Sequence, residues 1–199
     1  ESNERKEYLS ALCYIKLDKQ DRAETILNRL KDKAVNIEIK TNSLFFLAGL
    51  KGDKDPKAAN RMLNEFITSN PKHPFIGAAY YQLGINNFKS NAFDEAIDYF
   101  EKALKAGLDH EFEEKATFLL AESYFQINKE DESTKRYQQY VNKYPKGEFI
   151  DEALFKLGLA AFEKSDYANA LVKFDQIIKD FRESNRLSMA MFYKAEIFS

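Results

Sequence analysis

The stretch Tyr80–Leu104, YYQLGINNFKSNAFDEAIDYFEKAL, reads as two amphipathic helices joined by a short polar turn. Leu83, Gly84 and Phe88 share one face of the first helix, and Phe93, Ala96, Ile97, Phe100 and Ala103 follow helical spacing on the second. Gly84 and Ala96 carry almost no side chain, so the two backbones can approach closely there, with Phe100 filling the space beside them.

Outward from this stretch the pattern repeats. A column of small residues runs Ala23, Ala59, Ala96, Ser133, Ala170, at spacings of 36, 37, 37 and 37. Four residues later a column of large ones runs Leu27, Leu63, Phe100, Tyr137, Phe174. A third, in the preceding helices, reads Ala11, Leu47, Gly84, Ala121, Gly158, Ala195. Three columns in one register define a repeat chain of helical hairpins, with units near 4–35, 36–72, 73–109, 110–146 and 147–183 and a half unit at 184–199. The expected fold is all-α, an α-solenoid of five and a half hairpins and 11 helices forming a single array.

Composition agrees. Only 7 Gly and 4 Pro punctuate 199 residues, and no stretch alternates with period two for long. Punctuation falls between helices: in KGDKDP, Gly52 can end one helix, Asp55 can cap the next, and Pro56 fits its first position. Asp166 is a further expected cap. Asp98–Lys102 and Glu101–Lys105 are expected as i,i+4 ion pairs. Lys and Arg total 30 against 32 Asp and Glu, a formal net charge of -2, so no summed positive field gathers phosphates. No apolar run approaches the ~20 residues that cross a bilayer. Cys13, the only cysteine, lies in an apolar run where a buried, inert thiol is expected. The chain begins ESNERKEYLS without an initiator Met, as expected of a processed form or an excised fragment. The first and last helices are too apolar for one buried stripe, which points to further repeats or self-association through them.

These columns resemble the tetratricopeptide repeat (TPR), and YYQLG with FDEAIDYFEKAL and LFKLG with YANALVKF carry the family pattern best. Asn87 and Ala161 depart from it, standing where the family has a tyrosine, and the period is 36–37 rather than 34. The lengthened units, with NPKHP and KYPKGEFIDEALFKLG connections, are similar to a bacterial cell-envelope subgroup. That subgroup includes the TPR protein of the Tol–Pal system and the lipoprotein of the β-barrel assembly machinery. The resemblance implies a right-handed superhelix whose first helices line a groove holding a partner protein or peptide. It also implies a periplasmic or outer-membrane-associated location, the alternative being cytoplasmic.

Two aromatic columns lie beside the core stripe of the first helices: Tyr8, Leu44, Tyr81, Phe118, Phe155, Phe192, and Ile15, Lys51, Phe88, Phe125, Phe162. They either line an apolar trough for a partner segment or pack between neighbouring helices. In the first case Tyr81, Phe88, Phe118, Phe125, Phe155 and Phe162 form the groove, with Glu122, Gln126 and Glu163 as polar neighbours. His73 and His110 occupy equivalent positions 37 residues apart. A metal would need its ligands about 2 Å away, whereas equivalent sites in stacked helices are roughly 10 Å apart, so no metal is expected. The acids Glu111, Glu113, Glu114, Glu130, Asp131 and Glu132 sit at expected helix starts, favoured by the helix dipole.

No Gly-rich phosphate loop, HExxH, GxSxG or paired-cysteine motif occurs, so no catalytic residues and no cofactor are expected. The reading is a non-enzymatic protein-interaction scaffold. A helical-repeat nucleic-acid module would need a basic inner surface, for which the middle units offer Lys51 and Lys115. An accessory segment of a larger helical enzyme is the third reading.

Overall fold

Small side chains set where the helices touch. In the computed structural model, which describes residues 3–199, every member of the small column is buried, and so is every member of the large column. The described residues form eleven α-helices and no strand.

Two bodies divide the chain, Glu1–Ala92 and Phe93–Ser199. The first holds α1 (Asn3–Lys16), α2 (Gln20–Lys33), α3 (Ile37–Lys51), α4 (Pro56–Ser69) and α5 (Ile76–Lys89). The second holds α6 (Phe93–Ala106), α7 (His110–Gln126), α8 (Glu130–Lys143), α9 (Ile150–Glu163), α10 (Tyr167–Asp180) and α11 (Leu187–Ile197). In the N-terminal body Ala11 of α1, Leu27 of α2 and Leu47 of α3 form one buried cluster. In the C-terminal body Ala121, Tyr137, Phe155, Phe174 and Ile177 belong to a core running from α7 to α11. A Cβ built on Gly158 would lie 2.6 Å from the Phe174 ring, so this glycine is what lets α10 seat against α9. Ser133, the one hydroxyl in the small column, donates its proton back to the Glu130 carbonyl at 3.0 Å and so is buried at little cost.

The turns inside the hairpins recur too. Asp18, Asn91, Asn128 and Ser165 stand at one register and all adopt the left-handed conformation, with φ of 54, 58, 57 and 57°. Short polar side chains tolerate that region best after glycine. The second hairpin differs: Gly52 closes α3 in right-handed geometry, Asp55 accepts from the Ala58 N–H at 2.9 Å, and Pro56 opens α4. Asp166 caps α10 through the Asn169 N–H.

Between hairpins the chain makes a double turn, seen at Asn70–Ile76, Tyr144–Ile150 and Phe181–Leu187. The fourth hairpin instead begins after Gly107, whose φ of 94° ends α6, and α7 runs 17 residues. Three acids at one register, Glu4, Glu114 and Asp151, reach forward to hold the next connection. Glu4 accepts from the Val35 and Asn36 N–H groups at 2.8 and 3.1 Å, and Glu114 from the Glu148 N–H at 2.6 Å. Asp151 accepts from the Ser184 hydroxyl.

Three expectations need correction. Cys13 is exposed, because among the described residues no helix covers that side of α1. Its counterpart Asn86 in α5 is buried, with Asn60 of α4 bonded to it at 2.7 Å. Glu101 takes Arg136 of α8 at 2.6 Å instead of Lys105, while Asp98–Lys102 forms as expected at 2.6 Å. Ala195, the last of its column, is exposed where its counterparts are buried.

Gly158→Ala is expected to destabilise the C-terminal body by about 1–3 kcal/mol, and Phe174→Leu to recover part of that loss in the double variant. Denaturant unfolding of the single and double variants checks the pairing.

Candidate functional site

The face of the first helices in the C-terminal body carries an open cleft of about 420 Å³. Its walls come from α7, the start of α9 and the turn before α11. The floor is apolar: Phe118 of α7 stacks on Phe149 at 4.5 Å with 15° between the rings, and its other side packs edge-on against Tyr140 at 5.5 Å. Phe149 is placed by the double turn before α9, where its own N–H donates to the Tyr140 hydroxyl at 2.9 Å. That hydroxyl donates in turn to Glu114 at 2.7 Å. Burial and the nearby Glu114 carboxylate push the Tyr140 phenol far above its ordinary value, so it remains a donor.

Acids form the walls: Glu122, Glu148, Asp151 and Glu152, with Arg186 the one cation among the lining residues. Glu122 accepts from the buried Tyr137 hydroxyl and lies 3.5 Å from Lys156, in a pair mostly shielded from water. Lys156 also rests 3.7 Å above the Phe125 ring, which fixes its ammonium twice over. Arg186 bonds Glu152 through Nε, and its guanidinium lies 5.6 Å from the Phe155 ring. Glu148 is the loosest, its carboxylate 3.7 Å from Lys115 and well exposed. Four carboxylates thus line the cleft against one lining guanidinium, with Lys156 and Lys115 pairing with Glu122 and Glu148 from just outside it, so the charge balance of the cleft stays on the acidic side by about one carboxylate.

The expected groove residues separate into groups. Phe118 and Glu122 line the cleft. Phe125, one turn further along α7, is 37% exposed, and Gln126 and Glu163 are exposed beside the helix ends. Phe155 is only 3% exposed, its ring packed near Phe174 and Tyr193 at 6.0 Å each, so its burial favours core packing over a trough wall. Phe118 is likewise buried except for the edge it offers the cleft. Phe162 is half-buried against Tyr193 at 5.2 Å and Tyr167 at 5.6 Å. Tyr81 and Phe88 lie half-buried on α5 in the N-terminal body.

Sequence reasoning missed Glu148, Asp151, Glu152, Lys156 and Arg186. A signal existed: Lys156 is the one charge in the run ALFKLGLAAF, and a lone charge in an apolar run has to find a partner.

The two histidines do different work. His73 Nδ1 accepts from the Phe75 N–H at 3.1 Å, capping the entry to α5, and the ring packs 5.0 Å from Phe66. Ser184, at the same register, does this for the Arg186 N–H at 2.9 Å. His110 lies edge-on to Tyr144 at 5.7 Å. Of the acids at the helix starts, Glu113 accepts from Lys143 at 2.8 Å and Tyr144 at 3.2 Å, which hold its pKa below the ordinary value, so it joins α7 to α8 as well as facing a helix dipole. Among the described residues no group of three or more His, Cys, Asp or Glu side chains could hold a metal ion. No described helix is long and apolar enough to cross a membrane.

Models of the tetratricopeptide repeat match residues 7–35, 77–107, 115–147 and 152–184, most of the chain. The chain belongs to the tetratricopeptide-repeat family. None of the curated proteins matches its sequence. Among solved structures it is similar to MamA from Desulfovibrio magneticus RS-1, at a TM-score of 0.73 and 17% identity over 92% of this chain and 98% of MamA. It is also similar to Pseudomonas aeruginosa PilF, at 0.72 and 13% over 98% of this chain and 84% of PilF. YrrB, described as a TPR protein with an unusual peptide-binding site, aligns at 0.69 and 17% over 94% of this chain and 90% of YrrB. At these identities the likeness is one of fold: an all-helical solenoid, as the register required.

Two outcomes are expected. Phe155→Ser should cost about 3–5 kcal/mol of stability, the range for emptying a buried phenylalanine site, while Phe125→Ser should cost about 1 kcal/mol or less. Thermal melts of the two variants decide whether the column splits between core and surface in this way.

The second concerns pH. Burial holds the His73 pKa below its ordinary value, with Glu38 pulling the other way, and the neutral ring is the form that caps α5. The unfolded chain therefore takes up the proton first as pH falls. The contribution of His73 is complete above about pH 6.5 and is lost as pH drops through the lower folded value. The stability difference between wild type and His73→Asn should accordingly shrink between pH 7.5 and pH 5, as measured by urea unfolding at each pH.

Proposed function

We propose that this protein–protein interaction scaffold receives its partner at the cleft of the C-terminal body, and that the partner brings a Lys or Arg side chain flanked by apolar ones. The observation that carries the reading is the acidic wall beside the Phe118–Phe149 ring stack, where four carboxylates meet Arg186 in the lining and Lys156 and Lys115 behind it. An apolar floor supplies affinity, and the negative rim supplies orientation and on-rate. Phe125, Gln126, Phe162 and Glu163 extend the same surface beyond the cleft, and Tyr81 and Phe88 supply the corresponding face of α5. YrrB, with its peptide-binding site on a similar fold, supports a peptide-like partner.

A nucleic-acid partner is disfavoured by the same charges, since a phosphate backbone would meet the carboxylates first. The proposal assigns no catalytic step and no cofactor. Two further parts rest on sequence. That the five and a half repeats act as one array rests on the unbroken 37-residue register, and a cell-envelope location rests on the lengthened repeats and their connections. Fractionation of the native host checks the location, and recovery in the cytosol alone would remove it.

Binding can be read by fluorescence anisotropy with extended peptides of the type Phe-Lys-Phe and their Phe-Glu-Phe counterparts. The lysine series should bind, weakening with salt, and Glu148→Lys should weaken it about tenfold, or ~1.4 kcal/mol. Equal binding of the glutamate series, or indifference to salt and to Glu148→Lys, would overturn the cationic-partner reading. Glu148 suits the test because its side chain is exposed and its one ion pair there is long.

A further inference from the structure

Within the C-terminal body, the space between two successive second helices is filled over α7 by Tyr124. Its hydroxyl donates to Glu101 of α6 at 3.3 Å, and its ring lies 5.7 Å from the guanidinium of Arg136 on α8. Arg136 bonds Glu101 in turn at 2.6 Å. A phenol, a carboxylate and a cation thus tie three helices together. Over α3, in the N-terminal body, Leu50 and Met62 stand at the registers of Tyr124 and Arg136, and both pack on the apolar cluster there.

Over α9 the same positions, each 37 residues on, read Gln138, Ala161 and Lys173. The ring is missing, the carboxylate has become an amide, and the cation remains. An open pocket of about 360 Å³ lies there, lined from α8, α9 and the start of α10. Leu157, Ala160 and Ala161 supply its apolar surface. Its volume falls in the range of small-ligand sites, about 300–1,000 Å³. Both second helices that bound it are in place, so the space is a property of the side chains.

Most polar groups of the lining are already committed. Lys164 is held by Asp131 at 2.9 Å. Asp166 caps α10, with one oxygen 3.3 Å from the Asn169 N–H and the other 2.7 Å from the Asn169 side-chain amide. Gln138 donates its amide N–H to Asn142 at 2.8 Å, which leaves its carbonyl oxygen to accept. Lys173 is the exception: among the described residues no carboxylate pairs with it. The pocket therefore offers an apolar surface, an acceptor and one uncompensated ammonium.

We propose that this pocket receives a tyrosine side chain of a partner polypeptide, together with an acidic residue beside that tyrosine. The ring takes the space over Ala160 and Ala161 that Tyr124 fills one repeat earlier. Its hydroxyl donates to Gln138 Oε1 as Tyr124 donates to Glu101, and the acid pairs with Lys173 as Glu101 pairs with Arg136. The neutral amide of Gln138 leaves the charge of Lys173 to the partner. This pocket shares no lining residue with the acidic cleft, calls for the opposite charge and stands independently of the partner proposed there.

Fluorescence anisotropy with labelled peptides centred on Tyr-Glu tests the site. Wild type should bind them, and the Phe-Glu and Tyr-Lys counterparts should bind about tenfold more weakly. Lys173→Glu should weaken Tyr-Glu binding about tenfold, and Ala161→Tyr, which puts back the ring of the preceding repeat, should block it. Glu148→Lys should leave it unchanged, which separates this pocket from the cleft. Thermal melts establish that the variants fold, and Lys173→Glu decides alone should Ala161→Tyr unfold. A wild type that ignores Tyr-Glu peptides would overturn the proposal. So would equal binding of the Phe-Glu or Tyr-Lys series, or a folded Lys173→Glu or Ala161→Tyr variant that binds unimpaired.

Discussion

Two helices can pack with their backbones close only where a side chain is missing, and that constraint recurs at every hairpin of this chain. The seat column supplies alanine or glycine in most repeats, and the covering column supplies leucine, tyrosine or phenylalanine sixteen residues on. At Gly158 the fit leaves no room for even a methyl group. Seat and cover vary together within the C-terminal body: where the seat is glycine the cover is phenylalanine, and where it is alanine the cover is tyrosine, whose hydroxyl must then find a partner and finds Glu122. Packing and the polar network are therefore one problem. Solving the core with tyrosine at 137 brings a carboxylate to the edge of the cleft.

The connections between hairpins obey a second constraint. Each double turn leaves the first N–H groups of the next helix without partners inside the helix, and they need an acceptor. Ser184 and His73 supply one from within the turn, but Gly147, at the same register, has no side chain to offer. The Tyr140 hydroxyl takes over, reaching the Phe149 N–H while Glu114 holds it from behind. A side chain at 147 would collide with both groups, so the glycine and the tyrosine require each other. This exchange also places Phe149, which is why an aromatic ring lies flat against Phe118 at the mouth of the cleft. The floor of the cleft is built on the solution of a helix-capping problem.

How much of this could be read in advance depends on what repeats. Side-chain volume at 11, 23 and 27 and their counterparts recurs because close approach demands it, and the eleven helices followed from that. The left-handed turns were not read in advance, although Asp, Asn, Asn and Ser stand there at one register. The facing of the aromatic column was not. Phe118 and Phe125 are one phenylalanine type seven residues apart on one helix, and only the neighbours that arrive from α8 and α9 bury the first and leave the second open. Cys13 misled for a related reason: an apolar run shows that a helix has faces to cover and leaves open whether a neighbour covers each of them. The cleft was least legible: Asp151 and Glu148 do recur, at the registers of Glu114 and Glu111, but Glu122 and Glu152 have no acidic counterpart one repeat earlier, and nothing in the sequence shows that the four meet.

A chain with a net charge of -2 still presents a locally acidic cleft, and the placing of its cations explains why. Many cations are committed elsewhere, to pairs that link one repeat to the next: Lys54 with Asp21, Lys89 with Asp53, Arg136 with Glu101 and Lys164 with Asp131. Asp21 and Asp131 occupy the same register three periods apart, and Lys54 and Lys164 reach them from neighbouring positions of the following hairpin's turn. Such exposed pairs contribute little to stability one by one. Their effect on the cleft is indirect: a lysine held between repeats is one fewer to neutralise Asp151, which has only the Ser184 hydroxyl. Since screening confines these fields to about 10 Å at ordinary salt, the balance a partner meets is the local one.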